Sequence, residues 1–151
     1  MNISNKGLDL LKKLEGFKSK PYHCSAGKKT IGYGHVILPN EDFTEVTLDQ
    51  ANTLLKHDVS WAERAVTRIF PHLLQHQFDA LVIFVFNIGE TQFVKSKVCS
   101  YLKLKMLDQA IYVWKQYCKA LNPKTKELEP VQGLINRRNA EIDLFKIESK
   151  Q

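Results

Sequence analysis

A chain of 151 residues, 44% hydrophobic and 25% charged, is long enough for one domain or two small lobes sharing a core, and its composition is that of an ordinary folded soluble protein. No stretch approaches the roughly 20 apolar residues that a bilayer-spanning helix needs. The three cysteines, at 24, 99 and 118, are neither at CxxC spacing nor in a zinc-type cluster with histidine, which argues against a disulfide scaffold and a zinc site.

The net charge of +6 is unevenly spread. Residues 1–94 hold ten Lys/Arg and ten Asp/Glu, whereas residues 95–151 hold twelve and six, so the C-terminal part carries the whole excess. That pattern fits a solvated basic face equally with attraction to a polyanion: nucleic acid, an anionic membrane surface or an anionic cell-wall polymer. The first thirteen residues, M-N-I-S-N-K-G-L-D-L-L-K-K, lack the uninterrupted apolar run of a secretory signal. The chain is therefore expected to accumulate in the cytoplasm, which argues against a Cys99–Cys118 bridge.

Ser4 predicts a helix N-cap, with Leu8, Leu11 and Leu14 on one face and Gly16 as C-cap. Glu15 then sits at a helix C-terminus, where the carbonyl ends disfavour negative charge and favour the protonated carboxyl a general acid needs. A solvated surface glutamate is the alternative. Residues 17–46 read as a small antiparallel sheet, with S25-A-G-K28 as a hairpin turn that brings Cys24 and Thr30 close together. Gly32 and Gly34 within it point to close approach by another backbone or a ligand.

T47-L-D-Q50 is a capping-box pattern, and one long helix is expected to follow over 47–68. Residues 75–88 are apolar nearly all round and read as the central core helix, ended by Gly89. Helices are further expected over 96–106, 108–119 and 134–146, with 122–130 as a polar loop.

Taken alone, Cys24 beside His23 and His35 suggests either a cysteine hydrolase or an incidental thiol. His23, adjacent in an extended strand, would point to the opposite face. The wider pattern is more specific. E15-x8-C24-x5-T30, followed by I31-G-Y-G-H35, resembles the active-site signature of the phage-type lysozymes, the endolysins of glycoside hydrolase family 24, in which the middle position is Asp or Cys. F84-V-F-N-I-G-E90 resembles the family's central-helix ending, and G133-L-I-N-R-R-N-A-E141 its C-terminal motif. The resemblance runs over nearly the whole chain.

The resemblance implies a mainly helical α+β fold of two lobes in one lysozyme domain. A β-rich lobe of about 15–58 and a helical lobe of about 59–151, with helix 4–14, would be joined by the long helix. The cleft between them would hold a peptidoglycan glycan strand, and the reaction would hydrolyse the β-1,4 bond between N-acetylmuramic acid and N-acetylglucosamine. Glu15 would be the general acid. Cys24 would stand in for the carboxylate that activates or orients water, and Thr30 would hold that water. The expected outcome is inversion, with direct attack by a thiolate as a minor alternative.

A free thiol is mostly protonated at about pH 7, so a base role needs its pKa lowered, for instance by Lys28 or Lys29. Gly34, His35, Val36, Phe86 and Asn87 would line the sugar site, with Phe86 equally readable as core. Asp58 would pair with His35, and Arg137 would lie near Glu15. No cofactor or metal is implied. The enzyme would act as a monomer in the periplasm or cell wall after release from the host cytoplasm, assisted by anionic envelope polymers or the membrane surface. A lysozyme-like scaffold that binds glycan without cleaving it is the competing reading, and nucleic-acid binding has no supporting motif.

Overall fold

The structure is a computed structural model that describes residues 1–24 and 26–147. Ser25, in the expected hairpin turn, and residues 148–151, the end of the expected helical lobe, lie outside the described residues. Helix α1 (Asn5–Glu15) starts where Ser4 accepts the Gly7 N–H at 3.1 Å, and it ends at Gly16, whose φ of +73° suits glycine.

The chain then forms a three-stranded antiparallel sheet of β1 (Lys18–His23), β2 (Lys29–Gly32) and β3 (His35–Val36). Tyr22 pairs with Thr30, Thr30 with Val36, and Ile31 with His35. Gly32 has a φ of +68°, and a Cβ there would sit 3.1 Å from the Cβ of Ala51. The close approach expected at this glycine is that of the next helix. Ile31, Val46 and Ala51 form a small buried core, flanked by Phe17, Tyr33, Ile37, Phe43 and Leu54.

The capping box forms as expected: Thr47 accepts from the Gln50 N–H, and the Gln50 side chain accepts from the Thr47 N–H. The single helix expected over 47–68 is instead two, α2 (Leu48–Asp58) and α3 (Ser60–Ile69), meeting at Val59. The Ser60 hydroxyl donates to the His57 carbonyl at 2.6 Å and competes there for a backbone acceptor, a known cause of helix bending.

Helix α4 (Gln75–Ile88) is the core helix; every residue from Phe78 to Val85 is buried. Around it pack α1, α3 and the C-terminal helix α8 (Gln132–Phe145), burying Leu8, Leu11, Val66 and Ile142 in the main core. Gly89 ends α4 but is followed at once by α5 (Glu90–Lys95), a short helix that the sequence reading did not contain. Helices α6 (Lys97–Lys103) and α7 (Leu107–Lys115) come next. The helix expected to run to 119 stops at Lys115, and the expected loop is a hairpin of β4 (Lys119–Leu121) and β5 (Leu128–Pro130). Its turn is set by Asn122, whose side chain accepts from the Lys124 N–H at 2.8 Å and donates to Glu129 at 2.9 Å. Among the described residues, no helix is long and apolar enough to cross a membrane.

Candidate active site

Helix α1 delivers Glu15 from its last position, and α8 supplies the cation that meets it. Arg137 Nη2 donates to Glu15 Oε1 at 2.7 Å, across 122 residues of sequence. The guanidinium supplies positive charge at the helix end, where the unpaired carbonyls of the last turn are partially negative. The other oxygen faces Gly34, in the β2–β3 turn; a Cβ at this glycine, whose φ is +82°, would lie 3.4 Å from Glu15 Oε2. Gly34 thus leaves the carboxyl uncovered on the sheet side.

Arg137 is itself held. Its Nε lies 3.6 Å from Glu141 Oε2, and the same oxygen accepts from Arg138 Nη2 at 2.8 Å. Arg138 also donates to Asn87 Oδ1 at 2.7 Å and stacks over the Phe84 ring at 4.8 Å. The other Glu141 oxygen accepts from the Trp114 indole at 3.0 Å. Glu141 and Arg138 are 0% and 1% exposed, so this is a buried ion network with hydrogen bonds on both carboxylate oxygens. Burial pushes the Glu141 carboxyl up, against Arg138, Trp114 and Arg137, which favour its ionised form. Asn87 is exposed and turned toward Arg138; Phe86 is half-buried, its ring 6.0 Å from that of Trp61.

Cys24 follows the end of β1. Its N–H donates to the Lys28 carbonyl at 2.9 Å, and the Gly27 N–H donates to its carbonyl at 2.8 Å, which closes the turn. The thiol is held below its ordinary value, first by the backbone N–H of Lys28, then by that of Ala26 and by the Thr30 hydroxyl. The lysine acts mainly through its backbone, not through the ammonium the sequence suggested. Thr30 is 2% exposed, and its hydroxyl also donates to the Lys28 carbonyl at 2.9 Å. Since a hydroxyl has one proton, Thr30 chooses between that carbonyl and the Cys24 sulfur.

His35 is buried, with both ring nitrogens engaged: Nδ1 lies 2.7 Å from Asp58 and Nε2 lies 2.8 Å from Glu41. The Asp58 contact is the one expected from the sequence. The His35 ring is turned into the protein, whereas the neighbouring Val36 is 40% exposed. Burial pulls the imidazole down, but its hydrogen bonds to the carboxylates of Glu41 and then Asp58 outweigh it and leave its pKa raised. Glu41 is a partner that sequence reasoning missed. Its only local signal is the turn L38-P-N-E41, where Glu41 also accepts the Leu38 N–H at 2.8 Å. The roles of Arg138 and Glu141 were missed too, although both lie in the motif singled out. All three cysteines are free thiols.

The chain matches the phage lysozyme family over residues 12–141. It is 39% identical over 148 residues to the endolysin of Acyrthosiphon pisum secondary endosymbiont phage 1, covering 96% of this chain and 98% of that one. Among solved structures, it resembles the muramidase domain of SpmX from Asticaccaulis excentricus with a TM-score of 0.88 at 31% identity, over 97% of this chain and 99% of that one. The endolysin of Escherichia coli O157:H7 phage FAHEc1 gives the same TM-score, 0.88, at 29% identity over 99% and 98% of the two chains. With a family match over most of its length, a fold shared end to end and an endolysin relative of equal extent, the chain belongs to the phage lysozyme family and is a glycoside hydrolase of the muramidase type.

Proposed function

We propose that this protein is a single-domain, monomeric endolysin. It would leave the host cytoplasm and hydrolyse the β-1,4 bond between N-acetylmuramic acid and N-acetylglucosamine in the periplasm or cell wall. The observation that carries this reading is the Glu15 carboxyl, gripped on one oxygen by Arg137 and bare on the other beside Gly34. Glu15, in its protonated form, gives its proton to the departing glycosidic oxygen. Water attacks the anomeric carbon from the opposite face. Its proton passes to the Cys24 thiolate, and the Thr30 hydroxyl orients it. The lowered thiol pKa enlarges the thiolate fraction, the form this base role needs. The anomeric centre inverts, and no glycosyl-enzyme forms. Val36, Phe86 and Asn87 line the sugar path, Gly34 keeps it open, and His35 with Asp58 supports its floor.

Purified sacculi with product analysis by mass spectrometry and anomer assignment by NMR test the scheme. Glu15→Gln should lose turnover by at least about a thousandfold while still binding sacculi. Cys24→Asp should stay active, and Cys24→Ala should lose most activity, about a hundredfold. An active Glu15→Gln enzyme sinks the acid assignment. A retained anomer would make Cys24 the nucleophile instead of the base.

A further inference from the structure

The chain has two tryptophans, and they are placed differently. Trp114 is fully buried and hydrogen-bonded to Glu141. Trp61 is 36% exposed, on the first turn of α3 just past the break at Val59. Its ring meets that of Phe86 with centroids 6.0 Å apart and planes tilted by 30°, and the indole keeps part of its surface open. Two separate routes connect this pair to the Glu15 carboxyl. Asp58, three residues before Trp61, holds His35, whose neighbour Gly34 faces Glu15 Oε2. Asn87, next after Phe86, is bonded to Arg138, beside the Arg137 that grips Glu15. The aromatic pair is thus linked through short chains of contacts to the residues that hold Glu15.

We propose that Trp61, backed by Phe86, is a substrate-binding residue: a stacking platform for one N-acetylhexosamine ring of the glycan strand, away from the bond being cut. This rests on the glycan-hydrolase reading above. A β-1,4-linked pyranose presents a face of C–H groups whose weakly positive hydrogens suit the negative face of an indole, and its hydroxyls stay at the rim in water. Binding energy gained at such a distance from the reacting bond helps hold the strand in register. Phe86 fixes the indole, so little ordering is needed when the sugar arrives.

The test uses N-acetylglucosamine oligomers of four to six units and the non-cleaving Glu15→Gln protein. Because Trp114 is buried, the oligomer should change the intrinsic fluorescence through Trp61, and the change should vanish in Glu15→Gln/Trp61→Phe. In the active enzyme, Trp61→Leu, which keeps apolar contact with Phe86 but has no flat face, should raise KM for sacculi about tenfold. Its kcat should stay within about threefold of wild type, and Trp61→Tyr should recover most of the loss. Circular dichroism melts check that each variant is folded. No fluorescence response to the oligomer, or a KM for Trp61→Leu equal to that of wild type, overturns the platform. Whether wild type releases cleaved muropeptides is read separately, so a failed platform and a failed hydrolase assignment give different results.

Discussion

At the scale of single residues, His35 shows how one side chain links the sheet to the helices. Its ring joins Asp58, at the end of α2, to Glu41, in the turn after β3. Because its folded pKa is raised, its contribution to stability is fully present below the unfolded value of about 6.5 and is lost as pH rises through the folded value. Glu41 behaves oppositely. The Leu38 N–H and then His35 hold its carboxyl below the usual value, so its contribution is present above about pH 4.3 and is lost as pH falls through the folded value. Both contributions are complete between about pH 4.3 and 6.5. Melting temperature measured against pH should show that window in wild type, with a shallower alkaline edge moved to lower pH in Asp58→Asn, where Glu41 still holds the ring. An NMR titration of His35 should move to lower pH in Asp58→Asn and in Glu41→Gln; a His35 titration unchanged in both would show that the carboxylates do not hold the ring. The surroundings of Cys24 also shape its chemistry, but through backbone N–H groups in a turn and the Thr30 hydroxyl rather than a charge.

At the scale of elements, the position of Glu15 depends on how firmly α1 is anchored at its other end. Asp79, 1% exposed on α4, accepts from the Ser4 N–H at 3.0 Å, from the Ser4 hydroxyl, and from Gln75 at 2.7 Å. The Ile3 N–H donates to Glu63 of α3 at 2.7 Å. Gly7 makes this clasp possible: a Cβ there would lie 2.7 Å from Asp79 Cγ and 2.8 Å from its Cβ. Asp79 is tied on both oxygens and cannot swing away cheaply. Gly7→Ala should therefore destabilise the protein by about 1–3 kcal/mol despite the better helix propensity of alanine, which urea unfolding would measure. A variant as stable as wild type would mean that the clasp has room to shift.

The elements also show what the sequence could reveal. Helix α1, the capping box at Thr47 and the apolar run of α4 were legible because their signals are local: a cap, a glycine, a period. The break at Val59 was not, because no proline or glycine marks it, only a serine hydroxyl competing for a carbonyl. Strands β4 and β5 were not, because three residues each, all exposed but Glu129, are too short to show an alternation. Glu15, Cys24 and Thr30 stand out in the sequence as a spaced motif. Neither Asp79 nor Glu41 belongs to a spaced motif. The Ser4 partner of Asp79 lies 75 residues away, where no local pattern reaches, and the Glu41–His35 contact depends on how the turn after β3 folds back.

For the whole molecule, charge and burial act at different ranges. The excess of twelve Lys/Arg over six Asp/Glu in residues 95–151 lies on the half that supplies Arg137. If it draws the enzyme to anionic envelope polymers, binding of the Glu15→Gln protein to intact sacculi should weaken steadily between about 50 and 500 mM salt, as the screening length shrinks. Binding indifferent to salt would leave the basic half as a solvated surface. The buried charges answer to packing instead. Arg138 holds Asn87 and neutralises Glu141, so one side chain supports both the core and the site. Arg138→Leu leaves Glu141 buried beside Arg137 alone, at 3.6 Å, and should cost about 3–5 kcal/mol, reduced to the extent that Glu141 takes up a proton. Arg138→Leu/Glu141→Leu removes both charges and should recover much of that stability, because burying an ion pair carries a desolvation cost that an apolar pair does not. Activity should not recover with it, since Asn87 has lost its donor and Arg137 its rear carboxylate. Denaturant melts and turnover on sacculi for the two variants separate these roles. If activity returns together with stability, the network serves the core only, and the site is positioned by Arg137 and Glu15 alone.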